Sequence, residues 1–119
     1  MILVDTSVWI DYLRKGGGRL SELLENCQVL THPAIIGELA CGNLSNRKEF
    51  FSLVDHLPTS VCASDTEVLT FIERHELMGK GIGYIDAHLL TSVQLSHGAQ
   101  LWTNDTRLAA VAGELATSH

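Results

Sequence analysis

Apolar residues fall along the chain in short blocks that alternate with stretches of helical spacing. Ile2-Leu3-Val4 is a run of β type. It leads into residues 7–14, where Val8, Trp9, Tyr12 and Leu13 recur at the period of a helix. Gly16-Gly17-Gly18 interrupts that helix, and a second is expected over 19–26. Residues 28–31 read as a second strand. Pro33 suits the first turn of a third helix, where its missing N–H costs nothing. That helix carries Ile35, Ile36, Leu39 and Ala40 and should end near Gly42-Asn43. Residues 46–55 predict a fourth helix, closed by Pro58, and residues 59–63 a further strand. Ser64 or Asp65 caps an amphipathic helix expected to run through Met78, with Val68, Leu69, Ile72 and Leu77 inward. Beyond the glycine loop at 79–83 come a helix from about Asp86 to His97, a strand at 100–103 and a helix from Asp105 to about Glu114.

Short apolar strands separated by helices define an α/β domain with helices on both faces of a parallel sheet. Four strands are expected. No internal repeat, low-complexity tract or linker divides the 119 residues, so a single domain over 1–119 is expected. In such folds ligands gather at the carboxyl ends of the strands.

Composition narrows the chemistry. Fourteen acidic residues against eight basic ones give a net charge of −6. This excludes a protein that grips nucleic acid by bulk positive charge, so any phosphate backbone must be neutralised by something else. Three cysteines (Cys27, Cys41 and Cys62) form no C-x-x-C pair, which argues against a disulfide framework or a zinc knuckle. They are expected to be reduced, buried thiols. The opening MILVDTSVW has no basic region and reads as no signal peptide. The longest unbroken apolar run, 108–112, is far short of the ~20 residues that span a bilayer. A soluble cytoplasmic domain with no membrane association is expected.

Four acids interrupt apolar sequence. Asp5 directly follows the first strand, Asp105 follows the last after Asn104, Asp86 opens a helix after the glycine loop, and Glu38 sits among Ile35, Ile36, Leu39 and Ala40. Each has an ordinary explanation: Asp is a favoured N-cap, and Glu38 suits the solvent side of its helix. Gathered at one sheet edge, however, they would repel one another unless a cation or a proton offset them. Oxygen ligands without a Cys/His set favour Mg²⁺ or Mn²⁺ over zinc. One or two such ions polarise a phosphoryl oxygen and activate water for in-line attack. Setting the four aside leaves ten acids against eight basic residues, so much of the acidity sits in one candidate cleft.

Four segments carry a joint resemblance: DTSVWIDYLR at 5–14, PAIIGELACG at 33–42, GIGYIDAHLLTSVQL at 81–95 and LWTNDTRLAAVA at 101–112. In that order, and over nearly the whole chain, they resemble the PIN-domain ribonucleases, above all the VapC-type toxins of toxin–antitoxin modules. The resemblance implies a PIN-like three-layer α/β/α fold. It puts the family's acidic quartet on Asp5, Glu38, Asp86 and Asp105, supported by Thr6 or Ser7 and by Thr103 or Asn104. It further implies Mg²⁺- or Mn²⁺-dependent endonucleolytic cleavage of RNA, often tRNA or rRNA. A homodimer and a cognate antitoxin are implied as partners, with a higher assembly formed alongside the antitoxin. Two departures stand out. Only residues 115–119 remain for the family's fifth strand, which is therefore expected to be rudimentary or absent. Asn104 occupies a position that is basic in some relatives.

The remaining candidates are weaker. Arg14, Lys15, Arg19, Lys80 and Arg107 are candidates for RNA phosphate contacts, and Lys80 and Arg107, nearest in sequence to Asp86 and Asp105, are the best of them. His88, two residues from Asp86 on a helix, points about 200° away and is no ligand. His32 suits packing or capping, and Trp9 and Tyr12 suit core or dimer contact rather than base stacking. Ser and Cys nucleophiles lack a His partner, which disfavours covalent catalysis. A phosphoacceptor signalling domain is the alternative from another class, but no strand-end Lys accompanies Asp5 and its neighbour is Thr6. A PIN-like RNA-binding module without catalysis is the other, and the intact quartet argues against it.

Overall fold

The structure, a computed structural model, describes all 119 residues. Its chain order is β1 (Ile2–Val4), α1 (Thr6–Lys15), α2 (Gly18–Glu25), β2 (Val29–Leu30), α3 (Pro33–Cys41), α4 (Arg47–Val54), α5 (Asp65–Arg74), α6 (Tyr84–Leu95), β3 (Gln100–Trp102) and α7 (Thr106–Glu114). The strands are parallel, in the order β2-β1-β3. Leu3 lies opposite Leu30 on one side and Leu101 on the other. Helices cover the sheet, so β1 is buried along its whole length, as an unbroken apolar run requires.

The sheet therefore has three strands, not the four expected. Residues 59–63 make only one parallel bridge, Thr59 to Thr31. The reason is that β2 runs out there: His32 turns the chain into α3 by accepting from the Ala34 N–H through Nδ1. The next backbone donors turn to α6 instead, Val61 N–H to Ser96 Oγ and Ala63 N–H to Ser92 Oγ. At the opposite edge the chain end is equally reduced. Ser118 bridges Leu101, with Leu101 N–H donating to Thr117 O at 2.7 Å and His119 N–H to Leu101 O at 2.9 Å.

Trp9 anchors the main core, wholly buried and edge-on to Phe50 at 5.3 Å and Tyr12 at 6.0 Å. α6 is buried nearly all round, with Ala87, Leu89, Leu90 and Val93 inside. α5 ends at Arg74 rather than Met78 because Glu76 enters the left-handed region at φ 52°. Its inward residues are Val68, Phe71 and Ile72, and Leu69, expected inside, is 58% exposed. Ser64, not Asp65, is its cap, in a reciprocal pair of bonds with Glu67. The three cysteines are exposed rather than buried: Cys27 in the turn after α2, Cys41 at the end of α3, Cys62 in the extended segment. No helix is long and apolar enough to cross a membrane.

Candidate active site

Parallel β1 and β3 end side by side, and their carboxyl ends place Asp5 next to Thr103. Asp5 is both the N-cap of α1 and the centre of the site. Its Oδ1 accepts from the Thr6 N–H at 2.8 Å, and its Oδ2 accepts from Thr103 Oγ1 at 2.6 Å. Thr103 Oγ1 in turn accepts from the Asp105 N–H at 3.1 Å. Asp105 caps α7, with its Oδ1 receiving the N–H groups of Arg107 and Leu108. The capping reading and the cluster reading are thus both true of Asp5 and Asp105. Burial of Asp5 to 8% exposure is tolerated because both its oxygens are satisfied.

Glu38 is exposed on α3, and its Oε1 accepts from Thr6 Oγ1 at 3.0 Å. This contact ties α3 to the first turn of α1. Asp86 does not open α6 as expected. It stands in the first turn, and its Oδ2 reaches back to the Gly83 N–H at 2.9 Å. Burial pushes its carboxyl above the ordinary range, against the pull of that N–H, and the charges of Asp5 and Asp105 push it further. Asp86 therefore shares the field of the other two aspartates. Ser7 Oγ accepts from the Asn104 N–H at 3.0 Å, and Asn104 Nδ2 donates to Asp11 Oδ2 at 3.0 Å. Asp11, absent from the sequence-level candidates, is the one polar addition. Its place among the polar residues of α1 gives no sign of it.

The remaining candidates separate cleanly. His88 turns away from Asp86 and pairs with Asp65 at 3.0 Å, where Tyr84 Oη also donates at 2.7 Å. These two bonds hold Asp65 below the usual carboxylate range. His32 is a cap, held below its ordinary value by burial and by His88. Lys80 is engaged by Glu114 at 3.1 Å. Arg107 has no carboxylate partner, and its side chain lies across Gly81, where a Cβ would come within 2.7 Å of its Cδ. Gly81, at φ 78°, is needed for its backbone, and a Cβ there would oblige the Arg107 side chain to shift.

One oxygen each of Glu38, Asp86 and Asp105 has no donor from the protein. As the side chains stand, no three His, Cys, Asp or Glu residues close into a metal-holding group. In kind, the donors fit a hard divalent cation: carboxylates only, with unused acceptors on Glu38, Asp86 and Asp105.

The PIN domain is matched over residues 2–114, and the chain belongs to the PIN-domain family. Its likeness to VapC-type members is extensive. It is 46% identical over 114 residues to Ribonuclease VapC32 of Mycobacterium tuberculosis, in strains CDC 1551 / Oshkosh and H37Rv alike, covering 96% of this chain and 92% of that protein. The crystal structure of PAE2754 from Pyrobaculum aerophilum superposes with a TM-score of 0.63 at 17% identity, covering 92% of this chain and 78% of that one. That likeness is one of fold.

Proposed function

We propose that the protein is a divalent-metal-dependent endoribonuclease, the toxin of a toxin–antitoxin pair. The observation that carries the reading is the linkage of Asp5 through Thr103 to Asp105, with Asp86 held in their shared field, in a chain 46% identical to a named ribonuclease. Asp5, Glu38, Asp86 and Asp105 would hold Mg²⁺ or Mn²⁺, one ion or two, which when bound supplies Lewis acidity toward the phosphoryl oxygen and the attacking water. The chain's own residues provide the frame. Thr103 and the Thr6 N–H fix Asp5 so that it does not reorganise during reaction. Thr6 aims Glu38, and Ser7 with Asn104 holds the turn that carries Asp105. Arg107, unpaired beside Asp105, suits a substrate phosphate. Lys80 suits one only after leaving Glu114.

The natural setting under this reading is the cytoplasm, with RNA, tRNA or rRNA first, as substrate. A cognate antitoxin is the partner, with a homodimer as the toxin's own assembly and a larger complex formed with the antitoxin. Asp5→Asn tests the centre of the proposal. It removes the charge and keeps one acceptor, for the Thr6 N–H, while the new NH2 can donate to Thr103 Oγ1, so Mg²⁺-dependent cleavage of total tRNA or rRNA should vanish while the circular dichroism spectrum is unchanged. Full activity in that variant, or wild-type cleavage undiminished in excess EDTA, defeats the metal mechanism.

A further inference from the structure

A second groove begins where the acidic network ends. It has a volume of about 270 Å³ and runs along α1, lined by Asp11, Tyr12 and Lys15 from one face of that helix, Arg19 from α2, and Trp102 and Asn104 from the end of β3. Asn104 forms its near wall. It is the residue between Thr103 and Asp105, and its side chain crosses to Asp11. From Ser7, against the acids, to Lys15 at the far end is about 12 Å at 1.5 Å of rise per residue.

The walls bring cations and aromatic rings together beside Asp11. Lys15 has no carboxylate partner. Arg19 has only a solvent-exposed contact with Glu22 at 3.6 Å, which contributes little. Tyr12 and Trp102 are half-buried, and the Trp102 ring rests against His119 at 5.5 Å. Two available cations with two aromatic rings form the combination that holds single-stranded nucleic acid, the cations on phosphates and the rings under bases. A duplex keeps its base faces stacked and presents none to such a wall.

We propose that this groove binds the one or two single-stranded ribonucleotides flanking the phosphodiester at the acids, Lys15 and Arg19 meeting phosphates and Tyr12 and Trp102 meeting bases. The proposal rests on the ribonuclease reading for its substrate but is tested without cleavage. The full chain carrying Asp5→Asn is titrated with fluorescein-labelled octauridylate by anisotropy from low to moderate salt. Adding Lys15→Ala and Arg19→Ala, both at exposed positions, should weaken binding by about tenfold or more. It should also flatten the slope of log K against log salt by about 1.4, at ~0.7 for each single-strand phosphate that the protein no longer neutralises. Binding should quench tryptophan emission in the Asp5→Asn protein and not in its Trp102→Phe derivative. An unchanged slope and affinity, emission that RNA does not alter, or equal competition by oligoglutamate overturns the assignment. Wild-type protein with the same RNA and Mg²⁺ separates the two readings. A groove that binds as described in a protein that cleaves no RNA defeats only the nuclease reading, whereas cleavage with no effect of the groove variants defeats only this one.

Discussion

Thr103 offers the most direct measurement of how the site is held together. Its hydroxyl donates to the buried Asp5 Oδ2 at 2.6 Å and accepts from the Asp105 N–H at 3.1 Å, so one oxygen links two of the four acids. Thr103→Val preserves shape and removes both bonds. A hydrogen bond to a charged group contributes ~1.5–3 kcal/mol and a neutral one ~0.5–1.5 kcal/mol. The backbone N–H of the exposed Asp105 can turn to water, but Asp5 is only 8% exposed and its oxygen cannot readily do so. The first term therefore dominates, and the expected loss is about 2–3 kcal/mol from a total of roughly 5–15 kcal/mol. For a chain of 119 residues this lowers Tm by about 8–12 °C, at roughly 4 °C per kcal/mol. The assay is thermal and urea unfolding followed by circular dichroism in EDTA at neutral pH. The urea midpoint should fall without change in the slope m. Thr103→Ser keeps the hydroxyl and should recover most of the loss. A Val variant within about 0.5 kcal/mol of wild type, or a Ser variant as unstable as Val, would refute the bridging role, since that margin is what an inert surface change produces.

Two further perturbations address the electrostatics and the glycine loop. Burial, then the charges of Asp5 and Asp105, raises the Asp86 carboxyl above its ordinary 3.8, so its stabilising contribution is complete below that value and is lost as pH rises through the folded-state value. Asp86→Asn, which still accepts from the Gly83 N–H, should therefore melt higher than wild type at pH 7 in EDTA, and the gap should close as the pH is taken toward about 4; equal melting temperatures at neutral pH contradict this. Gly81→Ala imposes a left-handed conformation on a residue with a Cβ, costing about 1–2 kcal/mol, and also pushes the Arg107 side chain aside. In an Arg107→Ala background only the backbone cost remains, so a double-mutant cycle by urea unfolding should show coupling of at least about 0.5 kcal/mol, and additivity within about 0.3 kcal/mol means that the two residues do not interact.

Much of the fold was legible because helical period and strand runs survive in a small α/β domain. All seven helices lie where the apolar spacing puts them, and β1, β2 and β3 fall inside the expected runs. The failures have different causes, and for the missing strand the decisive partner lies elsewhere in the chain. Nothing in Thr59-Ser60-Val61-Cys62-Ala63 announces that Ser92 of α6 and Ser96, which caps it, will take its backbone donors and leave a single bridge. Leu69 follows the expected hydrophobic pattern yet faces solvent, because Val68, Phe71 and Ile72 already occupy the face of α5 that reaches the interior. The cysteines show the limit of composition, since a residue type that is usually buried is found at three exposed positions.

At the site, chemistry was more legible than geometry. An acid standing among apolar residues is informative because a charge there needs a reason, and Asp5, Asp86 and Asp105 do converge at the sheet edge, with Glu38 joined through Thr6. What the sequence could not supply was the order among them. Asp5 is buried and satisfied at both oxygens, whereas Asp86 is the group whose charge the fold disfavours. That difference bears on the net charge of −6, which argues against a protein adhering to RNA by bulk attraction. Six of the eight Lys and Arg residues have no carboxylate partner; of these, Arg107 lies beside Asp105 and Lys15 lines the groove that starts at Asn104, where Arg19 also sits. Lys15 and Arg19 thus place positive charge along a path that begins beside Asp105. Under the proposed function, a path of that kind selects a strand threaded past the acids over one lying on the surface.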